Sequence, residues 1–145
     1  MVNISHNAPT LPGRTALHSK STSQSANPYG GEPGLVFSEI AHLGKINLRG
    51  DKSLRNAVKS LTGCAFPPAA NKFNSAGERH VIWLSPNEFL IICEAGKDEE
   101  LASSFDAVLQ NQHFAVTNIT DALSAFHLKG VAVRQVLAKG CSLDL

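Results

Sequence analysis

From residue 35 onward, hydrophobic and polar positions recur with periods that assign most of the chain to helix or strand. In "KINLR" (45–49) Ile46 and Leu48 share one face and polar residues take the other, the period-two pattern of a half-buried strand. Leu54, Ala57, Val58 and Leu61 then follow at helical spacing, with Ser53 as the expected N-cap and Gly63 as the stop. "CAFPPAANKFNSAGE" (64–78), broken by Pro67 and Pro68, reads as a loop. "VIWLS" and "FLIICE" are apolar runs separated by Pro86 and Asn87, which predicts a β-hairpin. Asp98, Glu99 and Glu100 open a helix at its positive end, Leu101, Phe105, Val108 and Leu109 supply its apolar face, and Asn111 is placed to close it. "FAVTNITD" and "SAFHLKG" predict two more strands around a tip at Asp121 and Ala122. Val133, Val136 and Leu137 then mark a short helix ending at Gly140.

The order strand, helix, hairpin, helix, strand, strand, helix predicts an α+β fold of split βαβ, ferredoxin-like units. Its sheet is antiparallel-rich, with helices on one face. A faint repeat runs through it: Leu48-Arg49-Gly50 precedes a helix and then Gly63-Cys64, and Leu128-Lys129-Gly130 precedes a helix and then Gly140-Cys141. The echo places each Gly-Cys pair at a helix end.

Residues 1–34 break the pattern. Rich in Ser, Asn, Pro, Gly and Thr and closing on "SKSTSQSANPYGGEPG", they bury too little apolar surface to offset their ordering entropy. They read as a polar arm, suited to gripping a larger partner, ahead of a domain at 35–145. A chain of 145 residues, 43% apolar and 17% charged, fits one such domain.

Charge and cysteine content narrow the classes. The net charge of +1, from 13 basic and 12 acidic residues with no long basic run, gives no electrostatic footprint for nucleic acid. The longest purely apolar stretch, residues 89–93, is far below the roughly 20 needed to span a bilayer, and the N-terminus lacks a signal-peptide pattern. Three widely spaced cysteines, Cys64, Cys93 and Cys141, suit reduced thiols, so the expectation is a soluble cytoplasmic protein.

The candidate chemical groups are sparse. Cys141 is either a nucleophile or a packed thiol; placed after a helix C-terminus, it sits where the dipole disfavours thiolate, and the nearest histidine in sequence is His127. His42, His80, His113 and His127 are scattered singly without zinc-ligand spacing. Gly50 and Gly130 match neither a phosphate loop nor a dinucleotide fingerprint. Glu99 and Glu100 read as helix-start acids, Asp51 as a turn residue and Asp121 as a hairpin-tip residue. Arg49 at a strand end is either a solvated side chain or a fork for an interface carboxylate. Val81 and Trp83 share one strand face and Ile82 and Leu84 the other, so both faces are apolar and the second needs either a helix layer or a protein partner. Arg49 and Trp83 are therefore the candidate interface residues. No catalytic, cofactor-binding or metal site stands out.

"SEIAHLGKINLRGD", "RHVIWLSPNEFLII", "AVTNITDALSAFHLKG" and "VLAKGCSLDL" together resemble the gamma subunit of heterotetrameric sarcosine oxidase. The likeness covers residues 38–145 in order and is carried by Asn-Leu-Arg-Gly (47–50), the segment from Trp83 to Leu90, and Lys-Gly-Cys-Ser-Leu-Asp-Leu (139–145). It implies a fold similar to the folate-binding domain of aminomethyltransferases. It also implies a complex that demethylates sarcosine oxidatively to glycine, forms hydrogen peroxide and passes the one-carbon unit to tetrahydrofolate. FAD, FMN, NAD and tetrahydrofolate would then belong to partner subunits and none to this chain; the partners would be the alpha, beta and delta subunits. This chain would serve assembly and stability, with a role in catalysis left open.

Two departures modify that expectation. The family continues past Leu-Asp-Leu through further strands and a helix, so the C-terminal part of the domain is expected to be missing and the isolated chain to self-associate. The N-terminal arm is also longer than the family needs. Two other readings stand beside it: a folate-dependent iron–sulfur assembly protein of the same superfamily, whose Lys-Gly-Cys motif matches only at residues 139–141, and a thiol enzyme using Cys141.

Overall fold

The computed structural model describes Thr15 and residues 34–143; the predicted arm at 1–34 and the last two residues of the Lys-Gly-Cys motif lie, apart from Thr15 and Gly34, outside the described residues. The elements run β1 (Val36–Ile40), β2 (Gly44–Gly50), α1 (Arg55–Thr62), β3 (Phe73–Ala76), β4 (Arg79–Ser85), β5 (Glu88–Cys93), α2 (Asp98–Leu109), β6 (Phe114–Asn118), β7 (Ala125–Lys129) and α3 (Val133–Leu137). Five strands form one sheet in the order β3-β4-β5-β2-β6, every neighbouring pair antiparallel. β5 and β6 flank β2 and are joined through α2; β2 and β4 flank β5 and are joined through α1 and β3. These are two interlocked split βαβ units, the ferredoxin-like arrangement predicted, with β3 added at one edge. β1 and β7 pair apart from it as a separate antiparallel two-stranded ribbon.

The core lies between the large sheet and its helices. Leu54, Ala57 and Val58 from the α1 region and Leu101, Ala102, Phe105 and Leu109 from α2 meet Ile46, Leu48, Val81, Phe89, Ile91 and Cys93, alternate residues that share one face of β2, β4 and β5. α1 starts through a single 3₁₀ turn at Lys52–Leu54, and Asp51, not Ser53, is the cap: its Oδ1 accepts from the Ser53 amide at 2.7 Å. Aspartate wins because the 3₁₀ turn begins two residues earlier than the helical stripe. Gly63 ends α1 as predicted, in the left-handed region at φ 76°.

Several expectations are corrected. Phe73–Ala76, read as loop, is an edge strand: "FNSA" has no apolar alternation, but its backbone pairs with β4 through the turn at Gly77, φ 60°. β1 (VFSEI) is likewise a strand that the hydrophobic pattern does not predict. The strands on either side of Asp121 do not form a hairpin; β6 joins the large sheet beside β2, β7 joins β1, and Asp121 sits in a 3₁₀ turn (Thr120–Ala122) that carries the chain between the two sheets. In α2, Val108 is 53% exposed and Ala102 takes its place against the sheet, because α2 presents the 101, 102, 105 and 109 stripe. The helix closes at Gln110, one residue before Asn111.

Candidate interaction surface

The ribbon and the segment after it are built unlike the rest of the chain. β1, β7 and α3 contain no buried residue, although Val36, Phe37, Ile40, Phe126 and Val136 are among their side chains. Phe37 and Phe126 stack across the two strands with ring centroids 4.9 Å apart. Val131, in the turn from β7 to α3, is 98% exposed. A two-stranded ribbon is marginal in water unless another surface covers it, and this one exposes apolar groups on both faces, Phe37 and Phe126 on one and Val36 and Ile40 on the other. Glycine closes the joint beneath it: a Cβ on Gly130 would run into the Gly34 carbonyl, and that same carbonyl accepts from the Ala132 amide at 2.9 Å.

The sequence-predicted residues fall in different places. Trp83 is half-buried on the helix side of the sheet, packed against the core. Its neighbour Ile82 faces the other way, in a row that runs Phe73, Ile82, Leu90, Asn47, Thr117 across the sheet. α1 and α2 pack on the opposite face, and Phe73 at the edge of this one is 63% exposed. Arg49 is exposed and makes no hydrogen bond or ion pair with another described residue. It lines an open groove of about 350 Å³ with Asn87 and His113. The nearest acid in the ladder, Glu88, is held by the Asn47 amide at 2.9 Å.

The thiols are placed for packing. Cys64 and Cys93 are buried in the core; the Cys64 Sγ donates to the Arg79 carbonyl at 3.3 Å, and burial, then the nearby Asp98 and Glu94, push the Cys93 thiol up. Cys141 is half-buried and its amide donates to the Leu137 carbonyl at 2.8 Å. The Gly-Cys echo holds at Gly63-Cys64, directly after α1; Gly140-Cys141 follows the end of α3 by three residues. Gly50 opens no phosphate cradle either, since a Cβ there would meet Leu54. His42, His113 and His127 are exposed, while His80 Nδ1 shares a 2.6 Å hydrogen bond with the Ser75 hydroxyl. Among the described residues no group of three or more His, Cys, Asp or Glu is placed to hold a metal ion.

Two polar clusters that the sequence did not reveal lock the sheet. Arg79 Nε donates to both Glu94 oxygens, at 3.2 and 2.9 Å, while its Nη1 donates to the Leu61 carbonyl at 2.7 Å in the last turn of α1. Asp98 accepts from the Asn118 amide and the Thr120 hydroxyl, each at 2.8 Å, tying the start of α2 to the end of β6. Burial alone would raise the Asp98 carboxyl, but these bonds and the helix-start amides together hold it below the ordinary range. A depressed folded value stabilises the fold above the unfolded pKa of about 3.9 and is lost as pH falls through the lower folded value. Asp98→Ala is accordingly expected to cost about 1–3 kcal/mol near neutrality and to lose less stability than the wild type on acidification to about pH 3; urea unfolding at both pH values checks it.

No helix among the described residues is long and apolar enough to cross a membrane. Comparison with known proteins adds three findings. Residues 48–145 match the family described as "Sarcosine oxidase, gamma subunit family". A protein named sarcosine oxidase subunit gamma, from an Arthrobacter species, is 30% identical over 114 residues, covering 77% of this chain and 55% of the relative. The chain thus spans about half the length of that relative. A chain of the heterotetrameric sarcosine oxidase from Corynebacterium sp. U-96, solved in complex with pyrrole 2-carboxylate, superposes with a TM-score of 0.78 at 24% identity. It covers 91% of this chain and 68% of that chain. The last likeness bears on fold alone.

Proposed function

Since this chain belongs to the sarcosine oxidase gamma subunit family, we propose that it is a non-catalytic subunit of a heterotetrameric sarcosine oxidase, serving the assembly and stability of the complex. The reaction of that complex is the oxidative demethylation of sarcosine to glycine, with hydrogen peroxide formed and the one-carbon unit passed to tetrahydrofolate. FAD, FMN, NAD and tetrahydrofolate are held by the alpha and beta subunits, with delta completing the assembly.

The observation that carries this reading is the ribbon of β1 and β7 with α3, which exposes Phe37, Phe126 and Val136 and buries none of its own residues. A partner subunit seated there would remove this apolar surface from water. Arg49 supplies an exposed guanidinium, unpaired among the described residues, in a second location, where a partner carboxylate can be taken bidentately. Family membership decides against the iron–sulfur assembly reading. Two of the three thiols, Cys64 and Cys93, are sealed in the core, which leaves Cys141 as the test of the thiol-enzyme reading.

Three outcomes follow. Tagged chain co-expressed with the alpha, beta and delta subunits is expected to co-elute with them on size exclusion; elution of the tagged chain alone, with the others associated without it, overturns the proposal. Cys141→Ser is expected to leave sarcosine-dependent peroxide formation by the complex unchanged, and its loss would reinstate the thiol enzyme. Arg49→Glu, which replaces an exposed cation by an anion, is expected to weaken co-elution about tenfold, an effect that shrinks at high salt.

A further inference from the structure

One stretch of the chain is electrically unlike the rest. From residue 52 to residue 77 it carries four cations, Lys52, Arg55, Lys59 and Lys72, and no acid, in a protein whose totals are 13 basic and 12 acidic residues. Arg55 and Lys59 stand about one turn apart on α1, exposed, while Ala57 and Val58 between them are buried. The two cations border a groove of about 470 Å³ whose apolar lining includes Phe66, Pro67 and Pro68. The ion pairs among the described residues are Arg79–Glu94 and Lys97–Glu100, so neither cation has a carboxylate partner there.

The walls of the groove are fixed by what lies beneath them. Phe66 packs on the buried ring of Phe89, with centroids 4.2 Å apart, and Pro67 is itself buried. The Asn74 side-chain amide donates to the Ala65 and Phe66 carbonyls at 3.1 and 3.0 Å, which ties this loop to β3. The Arg55 guanidinium lies over the Phe66 ring, 5.7 Å from its centroid, a cation–π contact that orients it without neutralising its charge. An incoming group therefore meets a preformed apolar surface and two cations, with no carboxylate in the lining.

This combination selects an anion with an apolar part. Four helical residues separate the two cations by about 6 Å along the axis, close to the spacing of about 6.6 Å between acids at i and i+2 of an extended peptide. An apolar side chain two residues further along falls on the same side of that peptide, where Phe66 and Pro68 can cover it. A second copy of this chain does not supply such a pair: its own acid run, Asp98, Glu99 and Glu100, is held by Asn118, Thr120 and Lys97. We propose that the groove beside α1 docks an acidic segment of a partner protein, two carboxylates on Arg55 and Lys59 and an apolar side chain on Phe66. The site uses none of the residues assigned to the partner subunit above and goes beyond that reading.

The test titrates the full chain against a fluorescently labelled peptide, Glu-Ser-Glu-Ser-Leu, and reads anisotropy, so its outcome does not depend on whether an oxidase assembles. Saturable binding is expected that weakens about tenfold or more when both glutamates are glutamine, and that falls as salt is raised. Arg55→Gln and Lys59→Gln are each expected to lower affinity about fivefold, with Tm recorded to show that they fold. Lys72→Gln removes the same charge outside the groove and is expected to change affinity by less than about twofold. The proposal is overturned by the absence of saturable binding at millimolar concentration, by equal affinity for the glutamine peptide, or by undiminished binding in both groove variants. A loss from Lys72→Gln as large as that from Lys59→Gln would overturn it in favour of unspecific attraction to net charge. A concentration-dependent dimer abolished by Lys59→Gln would overturn it in favour of a second copy as the occupant.

Discussion

Phe126→Asp is expected to leave this chain folded and yet exclude it from the assembled oxidase. Phe126 lies on β7, outside the core, and its ring stacks on that of Phe37 on β1. The elements that hold the fold together, β2, β4, β5, α1 and α2, do not use it. A carboxylate in its place is expected to cost the isolated chain little, because Phe126 lies outside the core and is 39% exposed. In the complex that carboxylate would be buried against a partner without a counter-charge. Loss of a buried aromatic anchor alone weakens an interface by about 2 kcal/mol or more, roughly thirtyfold, and the unpaired charge adds to it. Size exclusion of the co-expressed subunits should show the variant eluting alone, with an unchanged circular dichroism spectrum and Tm. Wild-type co-elution by Phe126→Asp would place the partner elsewhere, with the sheet face around Phe73, opposite α1 and α2, the next surface to test.

Phe105→Ala is expected to have the largest effect on the chain itself. Phe105 is fully buried on α2 among Ile46, Leu48, Val58 and Phe89, where the helix layer meets the sheet. Truncating such a ring removes its transfer free energy and leaves a cavity the rigid surroundings cannot close, at about 3–5 kcal/mol. Domains of this size are stable by about 5–15 kcal/mol, so the variant should be partly unfolded at 37 °C or have a sharply lowered urea midpoint. Val108→Ala on the same helix is expected to change stability by less than about 0.5 kcal/mol, because Val108 points to solvent. Equal losses from the two substitutions would mean that α2 packs on a different stripe.

That contrast shows where periodicity was a sufficient guide and where it was not. Ile46, Leu48, Val81 and Phe89 obey the two-residue period because one strand face meets the helices, and the hairpin at Pro86 and Asn87 follows from it, as α1 and α2 follow from the helical period. Val108 fits the helical period equally well, but the period leaves the rotation of the helix free by a residue, and only packing against β2 and β6 fixes it. β3 was invisible because "FNSA" owes its strand form to backbone pairing with β4 rather than to side-chain pattern. The separation of β6 from β7 was also beyond local reading, since their partners β2 and β1 are remote in sequence.

The candidate surfaces were legible to a smaller degree. Arg49 was singled out from its strand-end position and is exposed without a partner among the described residues, whereas Trp83 is half-buried against the core. Phe37 and Phe126 gave no warning, because an exposed aromatic and a core aromatic look alike in a strand pattern.

The central claim, that this chain stabilises an oxidase whose chemistry lies in other subunits, is tested most directly by expressing the alpha, beta and delta subunits with and without it and measuring sarcosine-dependent peroxide formation alongside the mass of the assembled complex. With the chain present, a stable four-subunit complex with full activity is expected; without it, the assembly should be lost or should inactivate rapidly on warming. A three-subunit complex that forms as well, oxidises sarcosine as fast and survives heating as long would contradict the claim.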